Sequence, residues 1–387
     1  MTDMVFGAVA TRHDEAILSR WWRTVDRWTI GFVVLLFVIG VLLGLAASPP
    51  LAERNGLGAF YYVKRQVAFG LLGLGAMIVI STFSPQRLRR LMVLGFMATF
   101  VSIALLPVLG TDFGKGAIRW YSLGITALQP SEFVKPAFVV FAGWLMSGAS
   151  DLNGPPGRML SFMTAVILAF MLVMQPDFGQ AGLILASWGL MYFISGAPVR
   201  LLVSLGGLAG GAGWLAYTYS EHFARRIDGF LTSELDPTTQ LGFATNAIQE
   251  GGLLGVGAGA GSVKWSLPDA HTDFIIAVAA EEYGVLVCLV IVSLFAAIVV
   301  RSLLRLLRER DAFVRLAGVG LSALLAMQAL INLGVAVRLL PAKGMTLPFI
   351  SYGGSSALAT GVMLGCLLAL TRRRPQDDMA DVLGGGR

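Results

Sequence analysis

The chain has 387 residues, of which 56 % are apolar and 13 % charged, and its mean hydropathy is +0.74. Such a composition excludes a soluble globular domain, because most of the chain must be surrounded by lipid or by other apolar helices. The net charge of +6 would point to nucleic acid in a soluble protein, but here the basic residues flank apolar runs and act as topology signals, so no nucleic-acid partner is expected.

Residues 1–27 form a charged leader without a small-residue cleavage pattern, so the first apolar run, 28–46, is expected to be a retained span. Further runs follow at 66–82, 91–109, 161–174, 178–193, 199–217, 274–300, 314–337 and 347–370. Each is long enough to cross, or nearly cross, a hydrocarbon core of about 30 Å. A shorter run, 133–146, carries Lys135 beside Pro136 and counts as a tenth span whose first turn starts at the interface or faces the protein interior. The predicted fold is all-α, a polytopic membrane protein of about ten transmembrane helices over 28–371, between tails at 1–27 and 372–387.

Ten crossings return both termini to one side. Well over half of the 29 Lys and Arg residues fall in the tails and loops of that side, most densely at 301–315 and 372–374, so both termini are predicted cytoplasmic. The largest loop, 218–272, between the seventh and eighth spans, then faces outward, as do 48–65, 110–132 and 338–346. Neither tail is large enough to fold as a nucleotide-binding domain, so a substrate activated in the cytoplasm must arrive already carrying its activation. Cys288 and Cys366 both lie inside apolar runs and argue for neither a disulfide framework nor a zinc site.

Polar clusters interrupt this pattern on the outward side. Lys115, Arg119 and Lys135 surround the segment Gln129-Pro130-Ser131-Glu132; they can bind the phosphate oxygens of an anionic lipid or serve as interface anchors, and Ser131 can cap the helix that follows. The run from Gly251 to Gly261 holds six glycines, which favours close backbone approach or re-entrant packing. Next comes Leu267-Pro268-Asp269-Ala270-His271-Thr272-Asp273-Phe274. An acid at the start of a span is costly unless solvated, paired or used, which makes Asp273 the candidate catalytic residue; a helix N-terminal carboxylate is the structural alternative. His271 can orient or pair with it. Glu281, eight residues on, falls on roughly the same helical face and can share a polar groove with Asp273, or it and Glu282 can pair structurally with a basic or amide side chain such as Gln328 or Asn332. The last cluster, 341–356, brings Lys343, Ser351 and paired glycines, either as a binding surface or as helix-packing glycines with serines satisfying freed backbone.

Taken together these segments resemble the SEDS family of polytopic peptidoglycan glycosyltransferases. The resemblance rests on Gly116-Ala117-Ile118-Arg119-Trp120, Gln129-Pro130-Ser131-Glu132 with Lys135, Pro176-Asp177-Phe178-Gly179, the 267–274 segment with Glu281, Glu282 and Gly284, and the run from Lys343 to Ser356. The wording from Lys343 to Phe349 and the 27-residue leader favour the division branch of the family over its elongation branch. Asp269 stands where many relatives have glutamate, with the charge kept. The resemblance implies ten transmembrane helices with a large extracytoplasmic loop between the seventh and eighth. It also implies catalysis by Asp273, and a lipid II substrate polymerised onto a growing glycan strand at the outer leaflet of the bacterial cytoplasmic membrane, at the division septum.

The expected partners are a class B penicillin-binding transpeptidase and other divisome membrane proteins. Lys115, Arg119, Lys135, Arg338 and Lys343 are candidates for the pyrophosphate, with His271, Glu281 and Ser351 as further substrate contacts. No cofactor is required beyond a possible divalent cation, Mg or Mn. The competing readings are a transporter of lipid II or another amphiphile, which also uses interrupted spans and buried acids, and a non-catalytic divisome scaffold.

Overall fold

The structure, a computed structural model, describes residues 17–112, 117–124, 126–149, 154–219, 239–267, 269–340 and 344–373, with a few positions between 221 and 229. Lys115 and Lys343 lie outside the described residues. A short helix α1 (Ile17–Thr24) precedes α2 (Arg27–Ala47), α3 (Pro49–Arg54), α4 (Tyr61–Ser81) and α5 (Pro85–Leu109). A two-stranded hairpin, β1 (Tyr121–Ser122) and β2 (Ala127–Leu128), pairs antiparallel. It is followed by α6 (Pro130–Gly148), α7 (Gly157–Met174), α8 (Phe178–Ile194) and α9 (Val199–Tyr219). The chain continues through α10 (Gln240–Gly251), a 3-10 turn (Val263–Trp265), α11 (Ile275–Leu306), α12 (Ala312–Ala336) and α13 (Gly354–Leu370).

All ten sequence-predicted spans appear as helices, and the chain is a multi-pass membrane protein. Among the described residues six helices combine the length and hydropathy needed to cross a bilayer, while α8 and α13 are apolar but shorter. Side-chain caps set several starts. Asp26 accepts from Trp28 N at the head of α2, Ser84 caps α5 ahead of Pro85, and Asp311 accepts from Phe313 N and Val314 N at the head of α12. Ser131 does not act this way. The cap of α6 is Gln129 with Pro130 as the first helical residue, and the Ser131 hydroxyl is turned to Asp177 Oδ2 at 3.4 Å.

The boundaries differ from the hydropathy reading at several places, α5 starting at Pro85 rather than 91 and α11 ending at Leu306 rather than 300 among them, and three differences bear on the site. Helix α4 starts at Tyr61 rather than 66, because Tyr61, Tyr62, Lys64 and Arg65 are helical although they lower the local hydropathy. Helix α13 starts at Gly354 rather than 347, the preceding residues being coil and turns. Helix α11 is broken at Gly284, with φ 79° and ψ 176°.

The interior is built around α6, whose buried positions run along nearly its whole length, and around α12. Helix α13 packs against α4 through glycines on both sides, so close that a Cβ on Gly361 would overlap Gly73 O, while a Cβ on Gly73 would come within 2.6 Å of Ala357 O. Gln66 of α4 is buried and donates to Gly40 O of α2 and to Ile350 O, each at 3.0 Å. That one amide fixes the coil before α13 against two spans. At the opposite end of the bundle, Asp26 accepts from Arg301 at 2.6 Å and Arg305 at 3.2 Å, and Arg372 donates to Thr24 Oγ1, Ser81 O and Thr82 O. The first and last described segments therefore meet on one face.

Candidate active site

On the face away from that junction, a cavity of about 690 Å³ lies between the head of α4, the β1–β2 hairpin, the head of α6, residues 269–273, the coil 344–353 and the head of α13. Its polar lining includes Asp269, His271, Asp273, Glu132, Arg65 and Tyr352. Among the described lining residues three carboxylates face one arginine, and one of the three, Glu132, is paired with Lys135.

The segment carrying Asp273 is held by its backbone. Three successive carbonyls are each taken by a donor from the last part of the chain: His271 O by Tyr352 N at 2.9 Å, Thr272 O by Ser351 Oγ at 2.5 Å, and Asp273 O by Asn332 Nδ2 at 3.1 Å. The same Asn332 amide donates to Met345 O at 2.6 Å, and Gln328, one turn earlier on α12, donates to Thr346 O at 3.1 Å. A Cβ built on Gly344, where φ is +61°, would stand 3.5 Å from Asp273 Oδ2. Gly344 thus lies directly beside the carboxylate. The His271 ring closes a three-ring cluster with Tyr62 at 5.5 Å and Tyr352 at 5.3 Å. Burial pushes the Tyr352 phenol up, partly opposed by Arg65. Asp269 accepts from Gln240 Nε2 at 3.1 Å, which ties α10 to the rim.

A second polar cluster backs the cavity. Lys135 and Glu132 form a buried i,i+3 ion pair at 2.9 Å, and Gln180 Nε2 donates to the other Glu132 oxygen at 2.7 Å. Asp177, itself buried, accepts from Ser131 Oγ at 3.4 Å and Gln129 Nε2 at 3.5 Å. Burial pushes its carboxyl above the usual range; Arg119 and Lys135 pull it down and Glu132 adds to the rise.

The sequence-predicted residues divide by place. Asp273 and His271 line the cavity. Arg119 is turned away to the α7–α8 turn, where it donates to Gln175 O at 2.8 Å and Pro176 O at 2.7 Å. Lys135 stands behind the wall on Glu132, and Ser351 spends its hydroxyl on Thr272 O and on Leu347 N. Arg338 follows the end of α12 at a positive φ of 57°, outside the lining. Glu281 is buried on backbone amides of the 3-10 turn, and Glu282 makes the expected structural pair with a basic side chain, Lys264, while the amides of Gln328 and Asn332 serve the 345–346 coil instead. Arg65 is the cavity residue that composition did not single out. Its signal was available as an arginine one turn into a span on the side where the positive-inside rule disfavours it. Among the described residues no group of three or more His, Cys, Asp or Glu side chains is placed to hold a metal ion.

Residues 26–376 match the family described as cell cycle protein FtsW/RodA/SpoVE. A probable peptidoglycan glycosyltransferase FtsW from Caulobacter vibrioides is 40 % identical over 365 residues, covering 94 % of this chain and 93 % of its own length. Another from Halorhodospira halophila is 38 % identical over 385 residues, covering 95 % of each. Among solved structures, a chain from a peptidoglycan synthase complex that coordinates polymerization and crosslinking superposes with a TM-score of 0.74 at 27 % identity, covering 90 % of this chain and 97 % of the other. The rod shape determining protein RodA of Thermus thermophilus superposes with a TM-score of 0.65 at 25 % identity over the same shares. With a match over nearly its whole length and relatives of this identity, the chain belongs to the FtsW/RodA/SpoVE family of cell cycle proteins.

Proposed function

We propose that this chain is a peptidoglycan glycosyltransferase that polymerises lipid II into β-1,4-linked glycan strands, with Asp273 as general base. The observation that carries the proposal is Asp273 on the wall of a 690 Å³ cavity in a chain whose relatives bear that activity in their names. Asp273 takes the proton from the 4-hydroxyl of the acceptor GlcNAc as that oxygen attacks the anomeric carbon of the lipid-linked MurNAc. The anomeric carbon–oxygen bond breaks, and the polyprenyl pyrophosphate leaves with the electron pair. A single inversion turns an α-linked pyrophosphate into a β linkage, so one base on the attacking face suffices and no protein nucleophile is needed.

The leaving group carries several negative charges and is itself a weak base, so positive charge in place of an acid is what it requires. Arg65 supplies a guanidinium at the cavity wall, and Lys343 is adjacent in sequence to Gly344 beside Asp273. Lys115 is a further candidate. A Mg or Mn ion, if one binds, would be held by cavity carboxylates such as Asp269 and would supply positive charge for the leaving group. The driving force is already in the substrate, in keeping with the lack of a nucleotide-binding motif in the sequence.

The arginine-rich face that joins the first and last described segments supports a cytoplasmic placement of both termini, which directs the cavity to the outer leaflet. A class B penicillin-binding transpeptidase is the proposed partner, supported by the likeness to a synthase complex, and the division septum, with other divisome membrane proteins, is the proposed place of action. The test is strand formation from purified lipid II by the reconstituted chain with its cognate transpeptidase. Glycan strands are expected; a folded complex that makes none, but moves lipid II across vesicles, would assign the chain to transport.

A further inference from the structure

The break in α11 has an unusual repair. In an unbroken helix Val285 N and Leu286 N would donate to Glu281 O and Glu282 O. Gly284 separates these four groups, and the glycine run takes all of them: Val256 N donates to Glu281 O at 2.9 Å and Gly257 N to Glu282 O at 3.1 Å, while Val285 N donates to Gly252 O at 3.0 Å and Leu286 N to Leu253 O at 3.4 Å. The loop is spliced into the ladder of the helix. Glycine is needed on both sides, since a Cβ on Gly255 would overlap Glu282 O and one on Gly284 would overlap Leu253 O, each at a positive φ.

Side chains lock the splice. Glu282 accepts from Lys264 Nζ at 2.5 Å and from Gly259 N at 3.0 Å, and Lys264 also donates to Gly259 O at 3.1 Å. Glu281 Oε1 accepts from Ser262 N at 2.5 Å and Val263 N at 2.9 Å. Both glutamates are 1 % exposed and Lys264 6 %; none of the three lines the cavity. Buried in this way, they meet the loop rather than a ligand. The part of α11 before the break, beginning two residues after Asp273, is thereby joined to the glycine loop at the break.

We propose that Lys264, Glu281 and Glu282 are positioning residues: by locking the glycine loop into the broken helix they set where the short first part of α11 presents Asp273 to the cavity. This rests on Asp273 as the base. A misplacement of about 1 Å in a reacting group costs roughly a hundredfold in rate, so a loosened lock is expected to lower kcat by about tenfold or more while KM for lipid II stays near its original value.

The test uses the full chain with its transpeptidase, steady-state polymerisation of lipid II, and thermal unfolding in the same detergent. Lys264→Met strands a buried carboxylate and is expected to lower both kcat and stability. Adding Glu282→Leu removes that charge and restores stability, but not the bonds to Gly259, so kcat stays low. Glu281→Gln keeps the acceptor oxygen and should retain activity that Glu281→Leu loses, which reads the lock even where the lysine variant does not fold. Recovery of kcat together with stability in the double variant, or a raised KM at unchanged kcat, overturns the proposal. Asp273→Ala run in parallel separates the two ideas: strands from that variant sink the base assignment, whereas its inactivity beside fully active Lys264 and Glu281 variants sinks the lock alone.

Discussion

Asn332 is the side chain whose removal should most cleanly separate stability from catalysis. Its amide nitrogen serves Asp273 O at 3.1 Å and Met345 O at 2.6 Å, the residue is 2 % exposed, and its Oδ1 has no partner among the described residues. Asn332→Leu takes the donor from one buried acceptor, Met345 O, and one part-buried acceptor, Asp273 O, at up to about 1–3 kcal/mol each, and removes one buried unsatisfied oxygen of the same order. The net loss is about 1–3 kcal/mol of stability. The rate effect should be larger in proportion, because the lost bond is to the backbone of Asp273 itself and a shift of about 1 Å there costs roughly a hundredfold. Gln328→Leu is the matched control. It removes one donor, to Thr346 O, at a similar cost of about 1–3 kcal/mol, without touching Asp273. Thermal unfolding and lipid II polymerisation of the two variants should show similar destabilisation with kcat collapsing in Asn332→Leu and staying near wild type in Gln328→Leu. Equal kcat in the two variants would refute the reasoning that the carbonyl contact places the carboxylate.

Two further outcomes follow from packing and from burial. Gly361→Val drives a side chain into Gly73 O and must part α4 from α13, lowering stability by about 2–3 kcal/mol or more, while Gly31→Ala, where a Cβ meets nothing within 4 Å, should be neutral; an unchanged melting temperature for Gly361→Val contradicts the close crossing. Asp177, with its carboxyl raised by burial, contributes stability that is fully present below the ordinary carboxylate value of about 4 and is lost as pH rises through its folded value. Asp177→Asn should therefore match wild type at the acidic end and gain on it as pH rises, then level off; parallel melting curves over that range would contradict the burial argument.

The spans and their order were legible because hydropathy reports lipid contact directly, and the 267–274 segment stood out as a polar cluster at the edge of an apolar run. Other features depend on contacts that a linear reading does not hold. Gly284 sits inside the unbroken apolar run 274–300, and nothing local shows a break, since the groups it frees are satisfied by a loop some thirty residues earlier. The pairing of Lys264 with Glu282 was hidden for the same reason. Ser351 reads as a candidate ligand contact in a polar cluster, yet its hydroxyl is committed to backbone at Thr272 and Leu347. Arg65 escaped notice because its charge lowered the local hydropathy and moved the apparent start of the span past it. In each case the residue type was visible and its partner was not.

The most direct measurement is glycan-strand formation from purified lipid II by the wild-type chain and by Asp273→Ala, each reconstituted with the cognate transpeptidase and each shown folded by its melting curve. Strands from the wild type and none from the variant, at matched stability, are what general-base catalysis at Asp273 predicts. Strands of similar length and rate from both would contradict it and move the search for the base to the other carboxylates of the cavity, Asp269 and Glu132.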